Sequence, residues 1–390
     1  MFTLLQHAHV ISPEDLGLKD ILLCGEKIAA IEDKIEIPAG WNIKVIDLEG
    51  KTVVPGFIDS HIHLIGGGGE GGPATRTPEV LLSKVTSCGV TTVIGLLGTD
   101  GNTRHMESLL AKARGLEDEG LSTFIYAGAY QIPTPTITGS VRSDIILIDK
   151  IIGAGEIAVS DHRSAQPTRE DLQKLLAEAR VGGMLSGKAG IVDFHMGDGT
   201  RGLKDIQYVM ENTEIPYTQC VPTHVNRNPH LFEEALEWAK AGGYMDITSG
   251  VSPASGSTHA VKPSKAIRRA IDSGVPLNRI LMSFDGNGSV PVFDEQGNTI
   301  GVGVANQKSM LTEIQDAVLE EKISLSDAVQ IVSTNVARAY KLKNKGNVVV
   351  GFDADLVVLD KDLAIQQVWA KGQLMVENGA PIVFGTFEKL

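Results

Sequence analysis

Cysteine is scarce. Only Cys24, Cys88 and Cys220 occur in 390 residues, and no two form a C-x-x-C pair. That excludes a disulfide framework and a thiolate zinc cluster, and leaves core filling as their expected role. No apolar run approaches the roughly 20 residues of a membrane span. No basic block interrupts a chain of formal charge −13, which disfavours nucleic acid and acidic membranes as partners. A Gly-rich phosphate loop, an internal repeat and low-complexity segments are all missing. The opening Met1-Phe2-Thr3-Leu4-Leu5-Gln6-His7 lacks a basic segment ahead of an apolar one. We therefore expect no secretion signal and a cytoplasmic protein.

What the sequence does hold is a pattern of metal-type side chains at the ends of apolar runs. Val53-Val54-Pro55-Gly56-Phe57-Ile58 leads into Asp59-Ser60-His61-Ile62-His63, followed by four glycines and Glu70. Successive side chains of a strand alternate faces, so His61 and His63 point the same way and can share one ion. His195 ends Gly190-Ile191-Val192-Asp193-Phe194, His224 ends Cys220-Val221-Pro222-Thr223, and Asp285 ends Ile280-Leu281-Met282-Ser283-Phe284. Such residues at the C-terminal ends of separate strands are what a barrel with its active site on one face displays.

Strands are expected near 53–63, 90–97, 122–130, 151–159, 190–195, 219–224, 244–248 and 279–285, alternating with helices. The helices are expected over Thr77–Cys88, with Thr77 as N-cap and Pro78 at the first position, over Arg169–Arg180, near 229–241 and 262–273, over Gln307–Glu321, and from Leu325 with Ser324 as N-cap. Both ends are rich in short alternating strands, among them Ile21–Leu23, Lys27–Ile31, Val45–Leu48, Asn347–Val350, Ala354–Leu359, Ile365–Trp369 and Gln373–Val376. Neither end alone has enough strands to cover a core. The expected fold is α/β: a (β/α)8 TIM-type barrel over residues 55–345, with a small β-sandwich formed by residues 1–54 and 346–390.

Pro55-Gly56-Phe57-Ile58-Asp59-Ser60-His61-Ile62-His63 resembles the opening of the metal-dependent amidohydrolase superfamily, and Asn335-Val336-Ala337, Gly346, Gly351 and Asp353-Ala354-Asp355-Leu356-Val357 resemble its closing signature. Within it, the segments at 63–70, 95–100, 137–140, 160–165, 194–198, 222–228 and 285–289 resemble the isoaspartyl (β-aspartyl) dipeptidase family. The resemblance implies two divalent metal ions, usually zinc, in the barrel mouth. His61 and His63 would hold one and His195 and His224 the other, with Asp285 on the first ion and acting as general base and acid. It implies that a metal-bridging hydroxide cleaves the isopeptide bond of a dipeptide substrate, with Tyr130 assisting the carbonyl oxygen. It further implies Glu70 and Ser289 on the substrate ammonium, Arg163 and Arg227 on its carboxylates, and Gly68 and Thr99 as further contacts. Relatives form homo-oligomers, typically octamers. The other six histidines, His7, His9, His105, His162, His230 and His259, are expected in surface or structural roles.

The chain departs from the family at one position. Relatives commonly bridge the ions with a carboxylated lysine on strand four, and alignment on Ser160-Asp161-His162-Arg163-Ser164 places Glu156 there. Glutamate also offers two oxygens and one negative charge, on a shorter stem. Lys150, about six residues earlier, would lie toward the opposite end of the barrel at ~3.3 Å per residue. Glu156 is therefore the expected bridge, and activity is expected without bicarbonate. The alternatives are a hydrolase of cyclic amides, dihydroorotase-like or hydantoinase-like, on the same barrel, and a non-catalytic scaffold, which should have lost ligands.

Overall fold

The computed structural model describes residues 2–293, 299–305 and 308–388. The N-terminal segment supplies β1 (Phe2–Ile11), β2 (Asp15–Cys24), β3 (Lys27–Glu32), β4 (Ile43–Asp47) and β5 (Thr52–Pro55). The C-terminal segment supplies β16 (Leu356–Leu359), β17 (Ile365–Ala370), β18 (Gln373–Glu377) and β19 (Ala380–Pro381). The two ends do pair. β5 lies between β1 and β16 in one nine-stranded sheet ordered β19-β18-β17-β16-β5-β1-β2-β3, with β4 also on β1. β3 at one edge meets the lead-in to β16 through Ile28 N–H to Phe352 O (3.0 Å) and Gly351 N–H to Ile28 O (2.8 Å). The sheet thus curls around a core of its own that includes Leu5, Ile21, Leu23, Val53, Leu356, Val358 and Trp369.

Between these ends run β6 (Phe57–Ile62), β7 (Val90–Gly95), β8 (Ser122–Ala127), β9 (Ile151–Val159), β10 (Ile191–Met196), β11 (Cys220–Thr223), β12 (Met245–Thr248) and β13 (Ile280–Ser283). β6 to β11 form one parallel sheet and β12 with β13 another. Val225 N–H to Asp246 O joins the two, and His63 N–H to Gly286 O with Gly286 N–H to His61 O brings the last strand back to the first. Eight parallel strands therefore make a ring. Apart from the half-buried Phe124 of β8, all their residues are buried, as strands covered on both faces by helices and core must be. Ile58, Ile94, Tyr126, Ile152, Val221 and Leu281 come from six of them and form one cluster with Val336 and Tyr340. The helix Thr334–Ala339 thereby seals the N-terminal end, each large apolar side chain contributing about 1.5–3 kcal/mol by leaving water.

Helices cover the outside as the spacing predicts. Arg169–Ser186 opens on a capping box of Thr168 and Asp171 and runs six residues beyond the expected Arg180. Pro229–Lys240, Pro263–Asp272, Ser309–Leu319 and Leu325–Ile331 follow, the last capped by Ser324. Gln307, the expected start of one of them, lies outside the described residues.

Two expectations fail. Only Leu82–Thr86 is helical in the Thr77–Cys88 stretch, because Thr77 Oγ1 is not free to cap. It accepts from Gly67 N–H at 2.7 Å and donates to Asn287 O at 2.7 Å, pinning the glycine loop instead. Asn347–Val350 forms no strand: Val348 enters the sheet core and donates its N–H to Ser12, while Val349 and Val350 face outward. A hairpin absent from the sequence reading, β14 (Ser289–Phe293) with β15 (Thr299–Val304), rises from the mouth beside Asp285.

Candidate active site

The metal-type residues converge at the C-terminal ends of the barrel strands. His61 is the penultimate residue of β6 and His63 follows the strand; Glu156 sits within β9, His195 near the end of β10, His224 directly after β11, and Asp285 two residues beyond β13. His224 and Asp285 carry left-handed backbones, φ +62° and +59°. For residues other than glycine that conformation costs on the order of 1–3 kcal/mol and turns the chain off the strand at the point where the side chain is delivered.

Glu156 is the centre of the cluster. Its Oε2 lies 3.0 Å from His195 Nδ1, 3.2 Å from His61 Nε2 and 3.8 Å from His224 Nε2, and its Oε1 lies 3.7 Å from His63 Nε2. Asp285 Oδ1 stands 3.2 Å from His63 Nε2 and 3.8 Å from His61 Nε2. Lys150 is remote from this group and pairs with Glu117. Gly98 lies directly beneath: a Cβ there would come 2.7 Å from His63 Cε1 and 3.3 Å from Glu156 Oε1, so only glycine leaves the ring and carboxylate their places.

Among the described residues, two sets of ligand atoms fall within 4.8 Å of one another, His61 with His63 and Asp285, and His61 with Glu156 and His224. His195 stands outside both sets although it touches Glu156. The donors suit divalent ions that take nitrogen and oxygen ligands. Buried His61 Nε2 and His224 Nε2 have no hydrogen-bond partner among the described residues, and since buried polar atoms are seldom left unpaired, these nitrogens fit the ligands of a divalent ion.

Burial opposes charge on these groups, and at His61, Glu156 and Asp285 the neighbours outweigh it. Burial lowers the His61 pKa, yet Glu156 and Asp193 outweigh it and hold it well above the usual value. Burial likewise disfavours the Glu156 carboxylate, and His61 and His195 overcome this and keep it well below its usual range. At Asp285 the hydrogen bond from His63 and the charges of His224 and His61 outweigh burial and bring the carboxyl down to about 2. His224 is pushed down to about 3, chiefly by burial.

The cluster opens into a cavity of about 220 Å3 lined by Gly68, Glu70, Thr99, Tyr130, Arg163, Arg227 and Ser289 together with His63, Glu156, His195 and Asp285. Every substrate-contacting candidate from the sequence is therefore brought to one space. Glu70 accepts from Thr99 Oγ1 at 2.7 Å and lies 3.4 Å from Arg163 Nη1. Gly68, at φ +71°, has no room for a side chain: a Cβ would meet Thr75 O at 2.6 Å and Ser289 Cβ at 2.9 Å. The loop is fastened by Arg104, whose guanidinium donates to the carbonyls of Ile65, Gly67 (3.0 Å) and Thr77 (3.1 Å). Tyr130 Oη is 2.9 Å from His195 Nδ1. The buried Arg227 Nε has no hydrogen-bond partner among the described residues, and its Nη1 lies 3.9 Å from the exposed Asp198 carboxylate.

Several site residues had no place in the sequence reading. Asp161 Oδ2 lies 3.1 Å from His195 Nε2 and Asp193 Oδ1 3.3 Å from His61 Nδ1, while Thr248 Oγ1 stands 2.8 Å from His224 Nδ1. The segment after β12 contributes Val251, Ser255 and Ser257 to the cavity wall. Asp193 was detectable in principle: it is an acid in an apolar strand, two residues before His195 and so on the same face. Of the remaining histidines, His7 and His9 pair with Asp47 and Asp15, His230 lies 3.5 Å from Glu234, and His105, His162 and His259 are exposed.

The model of the Amidohydrolase family matches residues 52–375. A beta-aspartyl dipeptidase of Fervidobacterium islandicum AW-1, solved in complex with the dipeptide beta-Asp-Leu, is 43% identical with a TM-score of 0.89 over 98% of both chains. A dihydroorotase of Elusimicrobium minutum is 25% identical over 402 residues, covering 95% of this chain and 90% of its own. An adenine deaminase of Halalkalibacterium halodurans is 24% identical, and this chain spans 55% of its length. A solved D-hydantoinase, 17% identical with a TM-score of 0.70, shares the fold. No helix among the described residues is long and apolar enough to cross a membrane.

Proposed function

The chain belongs to the amidohydrolase family, and from that premise we propose that it hydrolyses the isopeptide bond of β-aspartyl dipeptides. The observation that carries the proposal is the charge pattern of the cavity. A β-aspartyl dipeptide has one ammonium and two carboxylates, and one cavity wall brings together Glu70, Arg163 and Arg227 with Asp285 and Glu156. A neutral cyclic amide has no use for two guanidinium forks.

His61, His63 and Asp285 would hold one divalent ion, His195 and His224 the other, with Glu156 shared between them. When bound, the two ions, zinc in this reading, would acidify a water and act as Lewis acid toward the scissile carbonyl. Asp285, a carboxylate at neutral pH, takes the proton of the attacking water on Oδ1 and delivers it to the leaving nitrogen. Tyr130 Oη donates to the carbonyl oxygen as charge develops there. Glu70, with Ser289, orients the substrate ammonium, and Arg163 and Arg227 fix its carboxylates, so the carbonyl is presented in one register. Glu156 would supply, on its shorter stem, the negative charge the two ions share, so activity without added bicarbonate is expected.

Release of leucine from β-Asp-Leu and from α-Asp-Leu tests this, using zinc-loaded protein without bicarbonate and a chelated control. Metal-dependent cleavage of the β-peptide alone is expected. Silence toward both peptides with opening of dihydroorotate would replace the proposal by the cyclic-amide reading, which the dihydroorotase relative favours.

A further inference from the structure

Asp161 holds two groups at once. Its carboxylate takes the Arg163 guanidinium in a fork, Nε to Oδ1 at 3.0 Å and Nη2 to Oδ2 at 2.8 Å, and also accepts the Arg163 N–H at 2.7 Å. The same Oδ2 lies 3.1 Å from His195 Nε2. Arg163 Nη2 is 3.1 Å from that nitrogen as well, so carboxylate, guanidinium and imidazole meet at one point. The other face of the imidazole turns Nδ1 to Glu156 (3.0 Å) and Tyr130 (2.9 Å). Asp161 is buried, and Arg163 extends from it to Glu70 and the cavity.

An ionised carboxylate can only accept a hydrogen bond. With Nδ1 given to a metal ion, the remaining proton of a neutral His195 would stand on Nε2, where Asp161 Oδ2 can accept it and hold the ring in that orientation. The fork meanwhile stops Arg163 from swinging out of the cavity. We propose that Asp161 is a positioning residue that ties the substrate-carboxylate clamp Arg163 to the metal ligand His195, so that zinc retention and occupation of the clamp are coupled. This rests on the dipeptidase reading for its substrate half; the His195 half stands on the geometry alone. Partners of this kind behind a metal-bound histidine typically change affinity by about 10–100-fold. Coupling between two sites is reciprocal and commonly amounts to about 5–150-fold.

The experiment measures zinc release to a chromophoric chelator from wild type, Asp161→Asn and Asp161→Glu, each with and without saturating L-aspartate, the acidic product of β-Asp-Leu cleavage. In Asp161→Asn the amide can donate to Nε2 and select the wrong tautomer. One of the two ions should then be held about 10–100-fold less tightly, with L-aspartate slowing release in the wild type and no longer in the variant. Asp161→Glu should recover part of both effects. KM for β-Asp-Leu should rise together with the zinc loss, both read under conditions where the unfolding curve shows the variant to be folded. Unchanged zinc retention in Asp161→Asn overturns the proposal, as does L-aspartate protection that survives the substitution. If wild type fails to cleave β-Asp-Leu, the function reading fails by itself, and zinc release without L-aspartate still decides whether Asp161 positions His195.

Discussion

Replacing Glu156 by glutamine keeps the shape of the side chain and removes the one charge shared by four histidines. The carboxylate lies 3.0–3.8 Å from nitrogens of His195, His61, His63 and His224. At 3.2 Å and an effective dielectric constant near 20, its attraction for protonated His61 is about 5 kcal/mol. Removing one partner of a buried pair typically destabilises by about 3–5 kcal/mol, because the other charge is left uncompensated. Glu156→Gln should thus weaken the metal-free protein by roughly 3 kcal/mol at neutral pH, read by denaturant unfolding. In the loaded protein the two proposed ions would lose the negative ligand that Glu156 is proposed to share between them, and retention should fall by more than about 100-fold. Zinc content by mass spectrometry after dialysis and kcat/KM on β-Asp-Leu measure this directly. Glu156→Lys is the companion: its activity should return only with bicarbonate, since lysine offers two oxygens only once carboxylated. A Glu156→Gln protein that keeps two ions per chain and wild-type kcat/KM would refute the reasoning.

Arg227→Lys should lower kcat/KM on β-Asp-Leu by about 10–100-fold, as one ammonium cannot reproduce a fork whose Nε is buried without a partner; equal kcat/KM would remove Arg227 from the site. Asp246 is buried and accepts from Thr223 Oγ1 and Ser283 Oγ at 2.5 Å each, and burial, despite those bonds, pushes its pKa up to about 7. In metal-free protein it therefore holds a proton that the unfolded chain has released between about pH 4 and 7. Stability should fall as pH rises through that window, by up to about 4 kcal/mol at about 1.4 kcal/mol per pKa unit. Asp246→Asn should flatten this slope in denaturant titrations at pH 5 and 8, leaving the similar contribution of Asp59, also raised to about 7 by burial; an unchanged slope would count against it. His162→Ala should leave zinc content and kcat/KM within about twofold, since that side chain is 90% exposed beside Asp161, and loss of zinc would show that it ligates.

The barrel strands were legible because each is a short, largely apolar run, four of them leading into His63, His195, His224 or Asp285, and burial on both faces demands an apolar composition. Helix ends were legible where a cap had no competing partner: Ser324 caps as expected. Thr77 did not cap, since Gly67 and Asn287, the latter 210 residues away, claim its hydroxyl. Asn347–Val350 has strand composition, but Val348 is consumed by the sheet core without a partner strand. Local pattern cannot weigh such distant partners.

The sequence by itself determined which side chains can bind metal and which face of a strand they share, because alternation along a strand is a local property. It determined too that Lys150 stands too far along its strand from the expected bridge, since rise per residue is local. Tertiary structure alone decided that Glu156 touches all four histidines, that Asp161 serves both His195 and Arg163, and that Asp193 backs His61. Those contacts join strands that are neighbours only once the ring closes, where Gly286 returns to His61 and His63. Closure is a long-range event, and no periodicity within one segment carries it.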